Sequence, residues 1–147
     1  MKKWIALVTL IVAAVIAGSA TATAQARFQK ATFTVDSFTT QLQTQPIFWI
    51  GPDGLTYEID RYYEFAATLT WSRFPPKSAQ RLEISDPGKD QSVTIDVTGL
   101  SSYTFSGTAE NGFWAFPGDS ISFRLVVCLK PTYTSCLTYE LSRQIPS

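Results

Sequence analysis

Hydrolytic chemistry in this chain would have to depend on carboxylates, because the sequence contains no histidine and its only cysteines are Cys128 and Cys136. Four carboxylates lie close together in the sequence: Asp53, Glu58, Asp60 and Glu64. Glycosidases place two such groups on opposite sides of a cleft, about 5–9.5 Å apart. Glu58 and Asp60 instead alternate with the apolar residues of positions 55–59, which predicts that both lie on the solvent face of one strand. We therefore expect no catalytic residues and no enzymatic activity.

Other common sites lack the residue types or the spacing that they need. The absence of histidine excludes Ser-His-Asp and Cys-His catalysis and the usual zinc sites. No glycine-rich nucleotide fingerprint occurs either. A calcium site built on Asp53 is the remaining alternative, but the spacing of its neighbours matches no calcium loop such as the EF-hand. The sequence predicts no cofactor and no metal ligand.

Aromatic side chains beside predicted turns are the best candidates for ligand binding. One pair precedes the turn at positions 51–54, and three more rings lie between two turn signals near positions 111 and 118. These five residues are Phe48, Trp49, Phe113, Trp114 and Phe116. Flat, amphipathic rings serve as stacking platforms for sugars or as anchors at protein interfaces. The alternative is that they cover the open ends of a small core.

The first 26 residues have the layout of a secretory signal peptide. A positive start at Lys2 and Lys3 is followed by an apolar run over 4–17 and then by small residues. The apolar run is shorter than the roughly 20 residues of a spanning helix, which favours cleavage over retention in a membrane. Cleavage is predicted after one of three alanines: Ala22, Ala24 or Ala26. The protein is expected to be extracellular or on the cell surface, with the periplasm as the alternative.

The charge of the remaining chain argues against nucleic acid as a partner. Removal of two lysines from twelve basic residues leaves ten against twelve acidic ones, a net charge of about −2. The basic residues are scattered, whereas phosphate binding needs a concentrated positive field. No segment after the signal is long and apolar enough to enter a bilayer. A polysaccharide or a protein is the partner that the composition favours.

Cys128 and Cys136 are expected to form a disulfide bond. Exported proteins fold in an oxidising compartment, where a pair of cysteines in one hairpin tends to close. The apolar residues of 121–127 and 137–141 alternate so that both sulfurs fall on the opposite, solvent side of the hairpin.

Alternation of apolar and polar residues with a period of two predicts strands through most of the chain after residue 26. The predicted strands are 31–35, 55–59, 65–71, 81–85, 92–98, 103–109, 121–128 and 136–141. Positions 39–50 are interrupted by polar residues and Pro46, which indicates a loop or an edge strand. Short strands separated by turns about every ten residues predict an all-β fold, a single antiparallel β-sandwich domain over residues 27–147.

Part of this pattern resembles fibronectin type III and immunoglobulin-like modules over residues 67–143. Leu69-Thr70-Trp71 followed by Pro75-Pro76 is similar to the second strand of that family with its core tryptophan, and 81–85 is similar to the third strand. The stretch 97–100 resembles the turn that leads towards the sixth strand. The resemblance implies a β-sandwich that binds or spaces other molecules.

Two segments could supply the sixth strand of such a module. One alternative begins at 103–105; the other is 117–125, in which Ile121 occupies the position of the family's corner tyrosine. We favour the second, because it pairs the two cysteine-containing strands as the last hairpin.

The sequence therefore favours a secreted, non-catalytic adhesion or binding module that contacts a polysaccharide or a protein through aromatic loops. The alternative is a structural subunit that polymerises by donating an extended segment, residues 27–35, to the open sheet edge of a neighbour.

Overall fold

The computed structural model describes residues 31–75, 78–129 and 135–147. The predicted signal segment, residues 1–26, lies outside this part of the chain. The described residues form nine strands and one short 3-10 helix at Pro87–Lys89: β1 Phe33–Gln43, β2 Ile47–Ile50, β3 Thr56–Ile59, β4 Tyr62–Trp71, β5 Ser78–Asp86, β6 Gln91–Asp96, β7 Ser102–Gly107, β8 Ser120–Leu129 and β9 Cys136–Gln144. Within the described ranges, no helix has the length and apolar character required to cross a bilayer. The prediction of an all-β chain is confirmed.

The strands form three antiparallel sheets. A three-stranded sheet has the order β1-β4-β7, a four-stranded sheet has the order β6-β5-β8-β9, and β2 pairs only with β3. The two larger sheets share one apolar core, because alternate residues of β4 and β8 are buried in a single cluster. Leu69 of β4 and Phe123 of β8 are fully buried in it. Phe38 of β1 reaches across to Phe123, with ring centroids 6.3 Å apart.

Strand β1 is longer than the sequence pattern indicates. It continues from the predicted segment 31–35 through Gln43 and lies at one edge of its sheet, so the loop within 39–50 is confined to 44–46. A β-bulge between Val35 and Ser37 shifts the register against β4. The bulge moves the inward-facing positions from odd to even numbers, so that Phe38 faces the core. Because of this shift, the apolar residues of β1 do not alternate strictly along its length, and the sequence pattern predicted only its first part.

The last hairpin confirms the predicted strand pairing and disulfide. Strand β8 pairs with β9, and Cys128 lies directly opposite Cys136 with the sulfur atoms 2.08 Å apart. Val127 and Leu137 point into the core, so the bridge lies on the other face of the sheet. The expectation that this face is open to solvent at the bridge is wrong, because Cys128 retains only 6% of its accessible surface. Val126 beside it is buried to a similar extent.

The two candidate segments for the sixth strand have different places in the fold. Residues 103–105 belong to β7, which pairs with β4. Residues 121–125 belong to β8, which pairs with β5 and β9 and carries the disulfide. The stretch 97–100 forms the turn between β6 and β7, where Leu100 N–H donates to the carbonyl of Val97.

Candidate binding site on the β2–β3 hairpin

The β2–β3 hairpin stands apart from the two larger sheets. Its connection is a tight loop in which Gly51 N–H donates to the carbonyl of Leu55 at 2.9 Å, and Gly54 adopts a φ of 80°. The Asp53 side chain accepts a hydrogen bond from the N–H of Leu55 at 3.0 Å and another from the hydroxyl of Tyr57. These bonds hold the hairpin loop in one shape.

The alternation predicted a strand that begins at Leu55, but Leu55 does not belong to β3. The strand begins at Thr56, and Leu55 lies in the loop with 60% of its surface exposed. The reason is the loop hydrogen bonding, since Leu55 closes the turn with both its N–H and its carbonyl. The expected solvent exposure of Glu58 is confirmed.

The register of the hairpin gives it two different faces. Trp49 pairs with Tyr57, and Ile47 pairs with Ile59, so these four side chains share one face. Phe48 pairs with Glu58 on the opposite face. We call the first the inner face and the second the outer face.

The inner face packs on the segment that follows β7. The Trp49 ring lies edge-on to Phe116 at 5.3 Å and to Trp114 at 6.0 Å between centroids, and it contacts Tyr57 at 6.0 Å. Trp114 and Phe116 also pack edge to face, at 4.8 Å. Edge-to-face pairs add to the effect of area burial. This aromatic cluster attaches the hairpin to the rest of the molecule.

The structure separates the five aromatic residues proposed as ligand contacts. Trp114 and Phe113 are only 3% and 4% exposed. Phe113 faces the core, 5.2 Å from Phe105, and so lies away from Trp49. Phe116 is half-buried. Phe48 is 75% exposed and is the one member of the set with its ring in solvent.

Lys89 lies beneath the segment that carries Trp114. Its side chain is buried, and its Nζ donates to the carbonyl oxygens of Trp114 at 2.7 Å and of Gly112 at 3.2 Å. The same nitrogen lies 3.6 Å from the centre of the Trp114 ring, a cation–π contact. Burial lowers the pKa of Lys89 to about 8. One lysine thus holds both the backbone and the ring of Trp114.

Two carboxylates accompany this lysine. Asp86 is fully buried and accepts a hydrogen bond from Gly88 N–H at 3.1 Å, while Asp119 accepts one from Phe116 N–H at 3.0 Å. Burial, a hydrogen bond with Asp119 and the charge of Asp119 raise the pKa of Asp86 to about 7. Oδ2 of Asp86 has no hydrogen-bond partner among the described residues, and an unpartnered buried oxygen disfavours the charged form of this carboxyl.

The outer face carries apolar side chains in solvent. Phe48 and Ile50 of this face are 75% and 69% exposed, and Leu55 in the connecting loop is 60% exposed. We call these three residues the hairpin patch. Large apolar side chains this exposed are typical of interaction surfaces. The hairpin segment 47–60 contains no lysine or arginine, and its charges are Asp53, Glu58 and Asp60. The hydroxyl of Tyr57 lowers the pKa of Asp53.

Comparisons with known proteins do not extend this description. No protein-family model matches the chain, and neither the curated proteins nor the solved structures contain a match.

The sequence did not predict the exposure of Ile50 and Leu55 or the burial of Lys89. The exposure of Ile50 follows from the pairing of Phe48 with Glu58, since Ile50 is two residues further along the same face. The five-residue segment 51–55 between two short β-rich stretches is the signal that could have indicated that hairpin. The burial of Lys89 has no counterpart in the local sequence, which reads as an ordinary polar turn, Asp86-Pro87-Gly88-Lys89-Asp90.

Proposed function

We propose that this protein is a secreted or cell-surface, non-catalytic binding module of the immunoglobulin-like and fibronectin type III kind, and that its hairpin patch binds a protein partner. The observation that carries the proposal is the two-faced β2–β3 hairpin. Its inner face is anchored by Trp49, its outer face presents Phe48 and Ile50 to solvent, and Leu55 is exposed in the adjoining loop.

The strand order supports a single sandwich of this kind. Immunoglobulin constant-type domains place strands A, B and E in one sheet and C, F and G in the other. The order β1-β4-β7 matches A-B-E, and β5-β8-β9 matches C-F-G. Strand β6 beside β5 corresponds to C′ of the variable type. On this assignment the β2–β3 hairpin is an insertion between strands A and B, and insertions of this kind commonly carry function.

A protein partner is better supported than a polysaccharide at the hairpin patch. Binding of a sugar by ring stacking needs a flat, exposed tryptophan or tyrosine face, but Trp49 is half-buried against Phe116 and Trp114 is buried. The most exposed side chains are instead one phenylalanine and two aliphatic residues, which fit an apolar groove, whereas Tyr57 is 40% exposed and packs on Trp49. The proposal therefore replaces the aromatic loop surface with the outer face of the hairpin.

Charge indicates the character of the partner. The apolar patch is bordered by Asp53, Glu58 and Asp60 without a nearby basic residue in the hairpin. Two copies that met through this patch would bring like charges together, which is unfavourable. The expected partner is a different protein with an apolar groove and basic residues at its border.

The strand-donation alternative has less support. Phe33 pairs with Trp71, and Val35 pairs with Leu69, within the same chain. Donation of residues 27–35 to a neighbour would require these internal pairs to be broken. Residues 27–30 lie outside the described residues.

Export is supported by the predicted signal segment and by the Cys128–Cys136 bridge. Disulfide bonds form and persist in oxidising compartments.

The proposal is tested by photo-crosslinking and saturation binding. The fluorescently labelled protein, with p-benzoylphenylalanine in place of Phe48, is applied to cells of the source and to their culture fluid. We expect saturable binding and a crosslink to a different protein. The double variant Phe48→Ser, Ile50→Ser should bind at least about tenfold more weakly, because central apolar anchors dominate interface energies.

Leu100→Ser is the matched control, because Leu100 is also exposed, at 47%, but lies in the β6–β7 turn. This variant should bind as the parent does, and circular dichroism should show the same fold for all variants. Unchanged binding by the double variant, or a crosslink between two copies of this chain, would contradict the proposal.

A further inference from the structure

The outward face of the β1-β4-β7 sheet is covered by small hydroxyl side chains. Cross-strand pairs form along it: Thr34 lies 2.9 Å from Thr70, and Thr68 lies 3.2 Å from Thr104, between hydroxyl oxygens. No lysine or arginine occurs in any of the three strands. Most of this face therefore satisfies its own hydroxyl groups and carries no positive charge.

One row of this face differs from the others. Thr39, Ala66 and Ser106 lie side by side on β1, β4 and β7. Since the central residue has no hydroxyl, neither flanking hydroxyl has a hydrogen-bond partner among the described residues. The two hydroxyls belong to strands separated by two strand spacings, roughly 9.5 Å. This span suits a short chain of sugar rings.

An open depression of about 460 Å³ on this face is lined by Ala66 together with Thr39 and Ser106. Its volume is within the range of small-molecule sites. The amide of Gln41 borders it and also has no hydrogen-bond partner within the described residues. Glu64 lies beside Gln41, and Oε1 of Glu64 accepts a hydrogen bond from Ala109 N–H at 2.9 Å. The depression thus offers hydroxyl, amide and carboxylate groups together.

The wall on the β7 side is held in place by Asn111. The Asn111 side chain donates to the carbonyl of Ser106 at 2.7 Å and accepts from the N–H of Thr108 at 3.0 Å. Its own N–H donates to the Thr108 hydroxyl at 3.2 Å. A pre-ordered wall reduces the entropy that a ligand would lose on binding.

We propose that this depression binds a neutral oligosaccharide. Hydroxyl and amide groups both donate and accept, and a carboxylate accepts, so together they match the alternating donors and acceptors of sugar hydroxyls. The absence of basic side chains on the strands and the presence of Glu64 disfavour phosphate and uronate groups. The site lies on the sheet face, is formed by residues outside the β2–β3 hairpin and does not depend on the proposed function of that hairpin.

The test is a titration of the ¹⁵N-labelled protein with three neutral glucans, cellohexaose, maltohexaose and laminarihexaose, followed by NMR. At least one should shift the amide signals of Thr39, Gln41 and Ser106. Oligogalacturonate, which is anionic, should not. Ala66→Thr should weaken glucan binding at least about tenfold, because its side chain projects into the depression and its hydroxyl supplies a hydrogen-bond partner for the flanking hydroxyls.

Threonine already occupies positions 68 and 70 on the same face of β4, so Ala66→Thr should fold. Thr70→Ser, which keeps a hydroxyl outside the depression, should bind as the parent does. The Phe48→Ser, Ile50→Ser variant should also bind glucan normally, which separates this site from the hairpin patch. No shift with any neutral glucan, equal binding of oligogalacturonate, or full binding by Ala66→Thr would overturn the proposal.

Discussion

The Nζ atom of Lys89 lies 3.6 Å from the centre of the Trp114 ring and 2.7 Å from the carbonyl oxygen of the same residue. Trp114 in turn packs against Trp49 of the β2–β3 hairpin and against Tyr62 of β4. The buried lysine is therefore connected to the β2–β3 hairpin through Trp114. The anchoring of the hairpin therefore depends on the contact between Lys89 and Trp114.

Replacement of Lys89 by methionine should destabilise the protein. Methionine fills a similar volume but leaves the carbonyl oxygen of Trp114 without the donor it now has, while Gly112 keeps a bond from Gln91 at 2.9 Å. A buried group without its partner costs about 1–3 kcal/mol. We expect a loss of that size in the free energy of unfolding, measured by urea denaturation.

Arg73→Met is the control for this substitution, because Arg73 is exposed. It should change the free energy of unfolding by less than about 0.5 kcal/mol. A Lys89→Met protein as stable as the parent would show that the lysine does not support the segment around Trp114.

Asp86→Asn should change how stability depends on pH. The folded-state pKa of Asp86 is raised to about 7 from 3.8, mainly by burial. The stabilisation from the protonated form is therefore fully present below about pH 4 and is lost as the pH rises through 7. Asparagine resembles the protonated acid and does not titrate, so the variant should be more stable than the parent at pH 7.5 and similar at pH 4.

Asp96→Asn is the matched control with the opposite sign. Hydrogen bonds from Thr98 lower the pKa of the exposed Asp96, so its contribution is present at neutral pH and is lost on acidification through the folded-state pKa. Unfolding midpoints in urea between pH 3.5 and 8 distinguish the two variants. A pH profile of Asp86→Asn that parallels the parent would contradict the raised pKa of Asp86.

The features that depend on the local alternation of apolar and polar residues could be predicted from the sequence. Alternation in 65–71 and 121–128 predicted the central strands, and the facing of Val127 and Leu137 placed the disulfide outside the core. These predictions succeeded because side-chain direction in a strand follows from a period of two. The type of chain, all-β and antiparallel, followed from the same rule.

The remaining features depend on long-range contacts. The bulge between Val35 and Ser37 breaks the alternation of β1, so the strand could not be read through to Gln43. The burial of Trp114 and Lys89 arises from residues distant in sequence, such as Trp49 and Tyr62. No local pattern distinguishes an aromatic residue that binds a ligand from one that fills the core, and this limits prediction of the site.

Trp49→Ala and Trp114→Ala should have different effects. Trp114 is 3% exposed, and its removal leaves a large cavity, so the free energy of unfolding should fall by about 3–5 kcal/mol. Trp49 joins only the hairpin to the body, so its loss should free residues 47–59 while the main unfolding transition changes by less than half as much. Limited proteolysis should cut Trp49→Ala within the hairpin first. Equal global destabilisation by both variants would contradict the separation of hairpin and core.

Replacement of both Cys128 and Cys136 by alanine should lower stability without changing the fold. The bridge closes a loop with a sequence separation of 8 between strands that already pair in register. Restricting the unfolded chain over so short a loop is worth roughly 2–3 kcal/mol. Alanine is the suitable replacement because Cys128 is buried and a serine hydroxyl there would need a partner. We expect the free energy of unfolding to decrease by this amount, which lowers the midpoint of urea unfolding. Reduction of the parent with dithiothreitol should give the same midpoint as the variant. An unchanged midpoint in both experiments would show that the β8–β9 pairing alone fixes this hairpin.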